Sequence, residues 1–231
     1  MDETGNYLRL SGILTDAPTY GHEVFGEKFY YATLSVPRLS GTEDLLPITL
    51  SERLMDGADL TEGMPLSIEG QLRSYNKVIE GAGRLLITGF AQRIMPLDDG
   101  ENPNQVQLVG ALCKLPSYRT TPFGREIADL MLAVNRAYGK SDYIPCITWG
   151  RTARFASHLK VGDHIQLLGR FQSRAYQKQL PDGTIIGKMA YEVSVGRLLM
   201  ADDASQPVSP IHREPLSEPI LHDPILLTRP Q

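Results

Sequence analysis

Gly12-Ile-Leu-Thr-Asp-Ala-Pro-Thr-Tyr20 and Gly110-Ala-Leu-Cys-Lys-Leu-Pro-Ser-Tyr118 are two versions of one stretch, set 98 residues apart. The same offset pairs Leu34, Val36 and Arg38 with Leu132, Val134 and Arg136, and Pro47 with Pro145. A register one residue longer pairs Gly63 with Gly162, Gly70 with Gly169 and Ser74 with Ser173. Past a two-residue insertion, Tyr75-Asn-Lys77 meets Tyr176-Gln-Lys178. Self-similarity at this period marks duplicated domains rather than solenoid units, and each copy is long enough to bury a core of its own. The chain therefore reads as a domain over residues 1–99, a second of the same fold over 104–200, and a tail over 201–231. Asp98-Asp-Gly-Glu-Asn-Pro-Asn104, polar and rich in turn formers, is the expected linker.

Strand signals dominate both copies. Phe29–Val36 and Ile127–Val134 are apolar, β-rich and partly alternating, and glycine-containing turns punctuate the runs. Each copy has one short helical candidate, Ser51–Leu60 and Thr152–His158, lying before a glycine that opens a long strand. Five strands with one short helix between the third and fourth is the order of an OB-type Greek-key barrel. The fold expected is all-β: two tandem five-stranded barrels and a disordered, Pro-rich C-terminal tail. That tail carries one apolar island, residues 219–227, which suits either docking of a replication or repair protein or folding back onto its own domain.

The net charge of −4 hides a split. Residues 1–99 hold 8 Lys+Arg against 15 Asp+Glu, whereas residues 104–200 hold 13 against 6. A half at +7 beside a half at −7 is a localised electrostatic footprint, and the basic half is the one suited to nucleic acid. No apolar run approaches the roughly 20 residues of a membrane helix, and Met1–Asn6 lacks the pattern of a secretory leader, which leaves a cytoplasmic, nucleoid-associated location as the expectation. Cys113 and Cys146 lie in strand-like runs and read as reduced core thiols. His22, His158, His164, His212 and His222 show no zinc-like spacing, so neither a metal nor a cofactor is expected.

The second copy carries the functional pattern. In Tyr143-Ile-Pro-Cys-Ile-Thr-Trp149, strand alternation places Tyr143, Ile147 and Trp149 on one face. In Gly169-Arg-Phe-Gln-Ser-Arg-Ala-Tyr176 it places Arg170, Gln172, Arg174 and Tyr176 on one face and turns Phe171 inward. If the two strands are neighbours, they form a basic, aromatic surface on which unstacked bases lie against rings while arginines track phosphates. Tyr138, Arg136 and Lys140 on one loop, Arg119 on another, and Arg151 and Lys178 complete the candidate set. A lone strand Trp is ordinarily core, but two arginines four residues apart on the same face do not belong in one. In the first copy the position of Trp149 holds Ser51 and that of Arg170 holds Gln71, while Tyr75 and Arg38 remain. A scaffold or pairing role is expected there.

These residues resemble the bacterial single-stranded DNA-binding protein family. The resemblance rests on Asn104-Gln-Val-Gln-Leu-Val-Gly110, Leu132-Ala-Val-Asn-Arg136, Asp142-Tyr-Ile-Pro-Cys-Ile-Thr-Trp-Gly150, Ala153, Gly162-Asp163, Gly169–Tyr176 and Tyr191-Glu-Val-Ser194. It implies base stacking on Tyr143, Trp149, Tyr176 and Tyr138, single-stranded DNA as partner, and protection of that DNA in replication, recombination or repair without base specificity. The family usually has one barrel per subunit and four per assembly, so two barrels in one chain imply a homodimer. The family's acidic, apolar tip carries the terminal carboxylate, whereas this sequence finishes Leu226-Leu-Thr-Arg-Pro-Gln231.

Catalysis finds little support. Gly139-Lys140-Ser141 has Val134 where a phosphate loop requires glycine, and no Gly-x-Ser-x-Gly or His-Glu-x-x-His occurs. The rival readings are a protein-binding adaptor of the primosome type with weak nucleic-acid binding, and a binder of single-stranded RNA.

Overall fold

Inward and outward side chains alternate from the first strand of each copy. A computed structural model describes residues 5–79, 82–95, 103–136, 139–179 and 183–201, without the side chains of residues 78, 79, 82 and 178. In β1 (Asn6–Leu14), Asn6, Leu8, Leu10 and Leu14 are buried; in β7 (Asn104–Leu112), Asn104, Val106, Leu108 and Leu112 repeat them. The first copy continues with β2 (Thr19–Val24), β3 (Glu27–Pro37), β4 (Glu43–Ser51), α1 (Glu52–Met55), β5 (Pro65–Ile79) and β6 (Ala82–Met95). The second continues with β8 (Ser117–Thr120), β9 (Glu126–Asn135), β10 (Ser141–Trp149), α2 (Gly150–Ala156), β11 (His164–Gln179) and β12 (Ile185–Met200).

Each copy closes into a barrel in the order β1-β3-β4-β6-β5-β1 or β7-β9-β10-β12-β11-β7, with the short helix between the third and fourth of its five strands. The closing contacts correspond: Leu14 lies opposite Leu34, and Leu112 opposite Leu132. One difference from expectation is a sixth strand per copy, β2 or β8, which pairs with the outer half of β3 or β9 as a projecting arm. A second is that α1 is shorter than Ser51–Leu60, with Gly57 at φ +77° just beyond its end, and α2 starts two residues before Thr152.

The repeated glycines mark where strands approach too closely for a side chain. A Cβ on Gly169 would stand 2.2 Å from the Ser194 carbonyl oxygen, and one on Gly110 would stand 2.4 Å from that of Ala133. Gly70 and Gly12 hold the same places in the first barrel, and register shifts fall at Leu168/Gly169 and Glu69/Gly70. Such irregularities bend a strand where a barrel turns its corner. A buried amide fixes each first strand: Asn104 donates to the Phe171 carbonyl at 2.7 Å and accepts the Phe171 N–H at 2.8 Å, and Asn6 does the same with Leu72 at 2.8 and 2.9 Å. Phe171, turned inward as expected, is fully buried among Leu108, Leu167 and Val193 in the core.

β1 and β7 pair antiparallel, with Asn6 opposite Leu108 and Leu10 opposite Asn104, which joins the barrels into one 12-stranded sheet. Residues 96–102 of the linker region and the tail island at 219–227 lie outside the described residues.

Candidate nucleic-acid interface

The face singled out in the second barrel is its outer surface across β9, β10, β12 and β11. One rung runs Asp129, Ile147, Ser194, Arg170; beside it, Ile127 faces Trp149, and both isoleucines are buried beneath the larger side chains of the face rather than open on it. The condition that β10 and β11 be neighbours is not met: β12 lies between them and brings Ser194 and the buried Glu192 to this side of the barrel. The inward positions of the same strands are Ile144, Cys146 and Thr148, all buried, and burial pushes the Cys146 thiol well above its ordinary pKa.

Tyr143 is 44% exposed. Trp149 is half-buried, and its indole Nε1 has no acceptor among the described residues. Tyr176 is half-buried beneath Arg174, whose guanidinium carbon stands 5.9 Å from the ring centroid. Arg174 is held in turn by the buried Glu192, through bonds of 3.0 and 3.2 Å, and Gln172 donates to the same carboxylate at 2.9 Å. The hydrogen bond to Glu192 raises the Arg174 pKa above its ordinary value. Arg119 pairs with Asp129 at 2.9 Å, with both side chains near half exposure. Burial raises the Asp129 pKa, and the Arg119 charge opposes that shift. Lys140 and Arg151 are exposed. Tyr138 and the Lys178 side chain lie outside the described residues.

Arg136 and Arg170, the latter at the end of that rung, turn their guanidinium groups to the junction of the barrels. Arg136 donates to both oxygens of Asp142, the Nε bond being 2.6 Å, and its second nitrogen reaches the Ser74 carbonyl of the first barrel at 3.3 Å. Arg73 of the first barrel adds a third bond at 3.2 Å, and the Ser74 N–H a fourth at 2.6 Å. The mirror arrangement surrounds Asp44, which accepts from Arg38 at 2.5 and 2.8 Å, from Arg170 at 3.0 Å and from the Ser173 N–H at 2.7 Å. Both carboxylates are buried. For Asp142, burial acts to raise the pKa, but the bonds from Arg136 and Ser74 outweigh it and hold the carboxyl below its usual range. Arg136 and Arg170 thus fasten one barrel to the other, through partners 62 and 126 residues away that no local pattern reveals.

The first barrel presents rings that position-by-position comparison of the two copies did not find. His22 on β2 stacks on Phe29 of β3 at 5.1 Å and 16°, and Phe29 meets Phe90 of β6 at 5.8 Å. Arg73 lies 5.6 Å from the Phe90 centroid, and Tyr31 Oη bonds His22 Nδ1 at 2.9 Å. None of these rings aligns with Tyr143, Trp149 or Tyr176; the signal that finds them is cross-strand register.

The sequence model of the Single-strand binding protein family matches residues 103–199, the barrel that holds Trp149. Single-stranded DNA-binding protein A of Bacillus subtilis (strain 168) is 42% identical over 83 residues, which is 33% of this chain and 48% of that protein. Single-stranded DNA-binding protein B of the same organism is 37% identical over 83 residues, 33% of this chain and 74% of that protein. The chain spans about half the length of most of the curated relatives it matches. The wild-type single-stranded DNA binding protein from Thermus aquaticus aligns at a TM-score of 0.63 and 24% identity, over 93% of this chain and 98% of that one, and so shares the fold. With OB barrels of this topology, a family match over the whole second barrel, and a curated relative matched over most of its length, the chain belongs to the single-strand binding protein family.

Proposed function

We propose that this protein binds single-stranded DNA without base specificity and protects it during replication, recombination or repair. It acts by binding, with no catalytic step. The observation that carries this reading is the outer face of the second barrel, where Tyr143, Trp149 and Tyr176 offer ring surface beside the cations Arg174, Arg119, Lys140 and Arg151. Rings accept any base by stacking, and cations track a backbone whose charge does not vary with sequence. Arg136 and Arg170 serve this face indirectly, by holding the barrels in register. Tyr138 and Lys178 extend the proposed set.

The division of labour follows the charge split: residues 104–200 form the basic DNA-binding domain, residues 1–99 the acidic one, and two chains supply the four barrels of a working assembly. Sedimentation equilibrium should give twice the chain mass of 25.6 kDa; a monomer at micromolar concentration overturns the dimer. For the function itself, the fluorescence of Trp149, the one tryptophan in the sequence, is titrated with oligo-dT at low and high salt, with duplex DNA as control. Quenching by oligo-dT alone, weakened by salt, is the expected result. A folded protein whose fluorescence responds to neither DNA overturns the reading in favour of a protein-binding adaptor, and preferential quenching by oligo-U makes the ligand RNA.

A further inference from the structure

The outer faces of the two barrels share their rungs but exchange the bulk along them. In the second barrel Ile127 faces Trp149; 98 residues earlier, Phe29 faces Ser51. On the next rung the second barrel has Asp129, Ile147, Ser194 and Arg170, and the first has Tyr31, Thr49, Phe90 and Gln71. The aromatic missing at Ser51 therefore reappears one strand over, at the same height on the same face.

These rings lie outside the core. The barrel interior is filled by Leu34, Ile48, Leu50 and Leu72, all fully buried, whereas Tyr31 is 46% exposed and His22, Phe29 and Phe90 are half-buried. They form a ladder across three strands, His22 to Phe29 to Phe90, with Arg73 over its end. The ladder is continuous with the Trp149 face. Arg73 bonds Asp142 of the second barrel, Arg136 lies 5.7 Å from the Tyr75 centroid, and the Tyr143 N–H donates to Ser74 Oγ at 2.8 Å.

We infer that a single strand held on the Trp149 face continues across the Tyr143–Tyr75 junction and stacks further bases on Phe29, Phe90 and Tyr31 of the first barrel. This rests on the reading of the second barrel as a single-stranded DNA binder. The site grips bases by their faces. Arg73 is committed to a buried carboxylate, and the surrounding half is acidic, so this barrel adds affinity without adding to the salt dependence.

The test uses the full chain and the double variant Phe29→Ile, Phe90→Ser, which gives the first barrel the residues that Ile127 and Ser194 supply at the same rungs of the second. Binding is measured by Trp149 quenching with an oligo-dT of about 8 nucleotides, within the range one barrel occupies, and with one long enough for both. The expected result is unchanged affinity for the short oligo and a loss between about 5-fold and 150-fold for the long one per base released, with an unaltered slope of affinity against salt. Long-oligo affinity within about two-fold of the wild type, in a variant that melts as the wild type does, overturns the inference while leaving the second barrel's role intact. If the variant fails to fold, photocross-linking of 5-iodouracil-substituted DNA to the wild-type chain decides instead. Cross-links to Phe29, Tyr31 or Phe90 are expected, and cross-links confined to residues 104–200 overturn it. A wild-type chain that binds neither oligo overturns the reading of the second barrel, and this one with it.

Discussion

Trp149 and Asp129 lie on the same face of the second barrel, and if that face binds as proposed their substitution separates stacking from charge. Trp149→Ala is expected to cost roughly 1–3 kcal/mol of oligo-dT affinity, measured by anisotropy with labelled DNA, while the variant still melts cooperatively. Asp129→Asn removes a carboxylate one rung from the rings and releases Arg119 from its 2.9 Å pair. Its affinity is expected to rise a few-fold, and the slope of log affinity against log salt to steepen by about 1. At this scale the sequence was informative where a role follows from local alternation. Phe171 is inward and Tyr143 outward, as the period of two dictates. It was uninformative where the role is fixed by a distant partner. Nothing around Arg170 announces Asp44, which only the docking of the two barrels brings to it, and nothing around Phe29 announces Phe90, which reaches it only through the strand order of the first barrel.

The elements divide in the same way. Barrel strands were legible because one face of each is buried and the pattern must alternate to bury it. The arms β2 and β8 were not, since both of their faces meet solvent, every residue of β8 is exposed, and no alternation is required of them. Helix α1 was over-extended because Gly57, at φ +77°, closes a stretch whose composition would otherwise continue. The repeated glycines were visible as repeats, but their cause was not. Gly169→Ala places a Cβ 2.2 Å from a backbone carbonyl that cannot swing aside, at the bulge where β11 turns its corner. A destabilisation of about 3 kcal/mol or more is expected from chemical denaturation. Alanine at Gly187, where nothing lies within 4 Å of the added carbon, should cost far less.

At the scale of the whole molecule, two buried carboxylates govern how the barrels hold together. Asp142→Asn leaves Arg136 and Arg73 without their anion, and a loss of about 3 kcal/mol is expected in urea titrations. The linkage to pH has a definite sign. The Asp142 carboxyl is held below its usual value, so its contribution is present above about pH 4 and is lost as pH falls through the depressed folded-state pKa. Acid titration monitored by circular dichroism should show the wild type losing more stability than Asp142→Asn below that point. Equal losses would show that the junction does not control acid unfolding. The charge split legible in the composition says which barrel suits a polyanion, but it does not reveal that opposite charges at the seam are already spent on each other.

The pairing of β1 with β7 has one more consequence. Where two separate chains join edge to edge, the partnership follows mass action and dissolves on dilution. Here both strands belong to one molecule, and each remains within reach of the other at any concentration. The two outer faces therefore stay side by side even in a lone copy of the protein far from any other. Because the faces differ, that lone copy also has a distinguishable left and right, which a pair of identical barrels lacks.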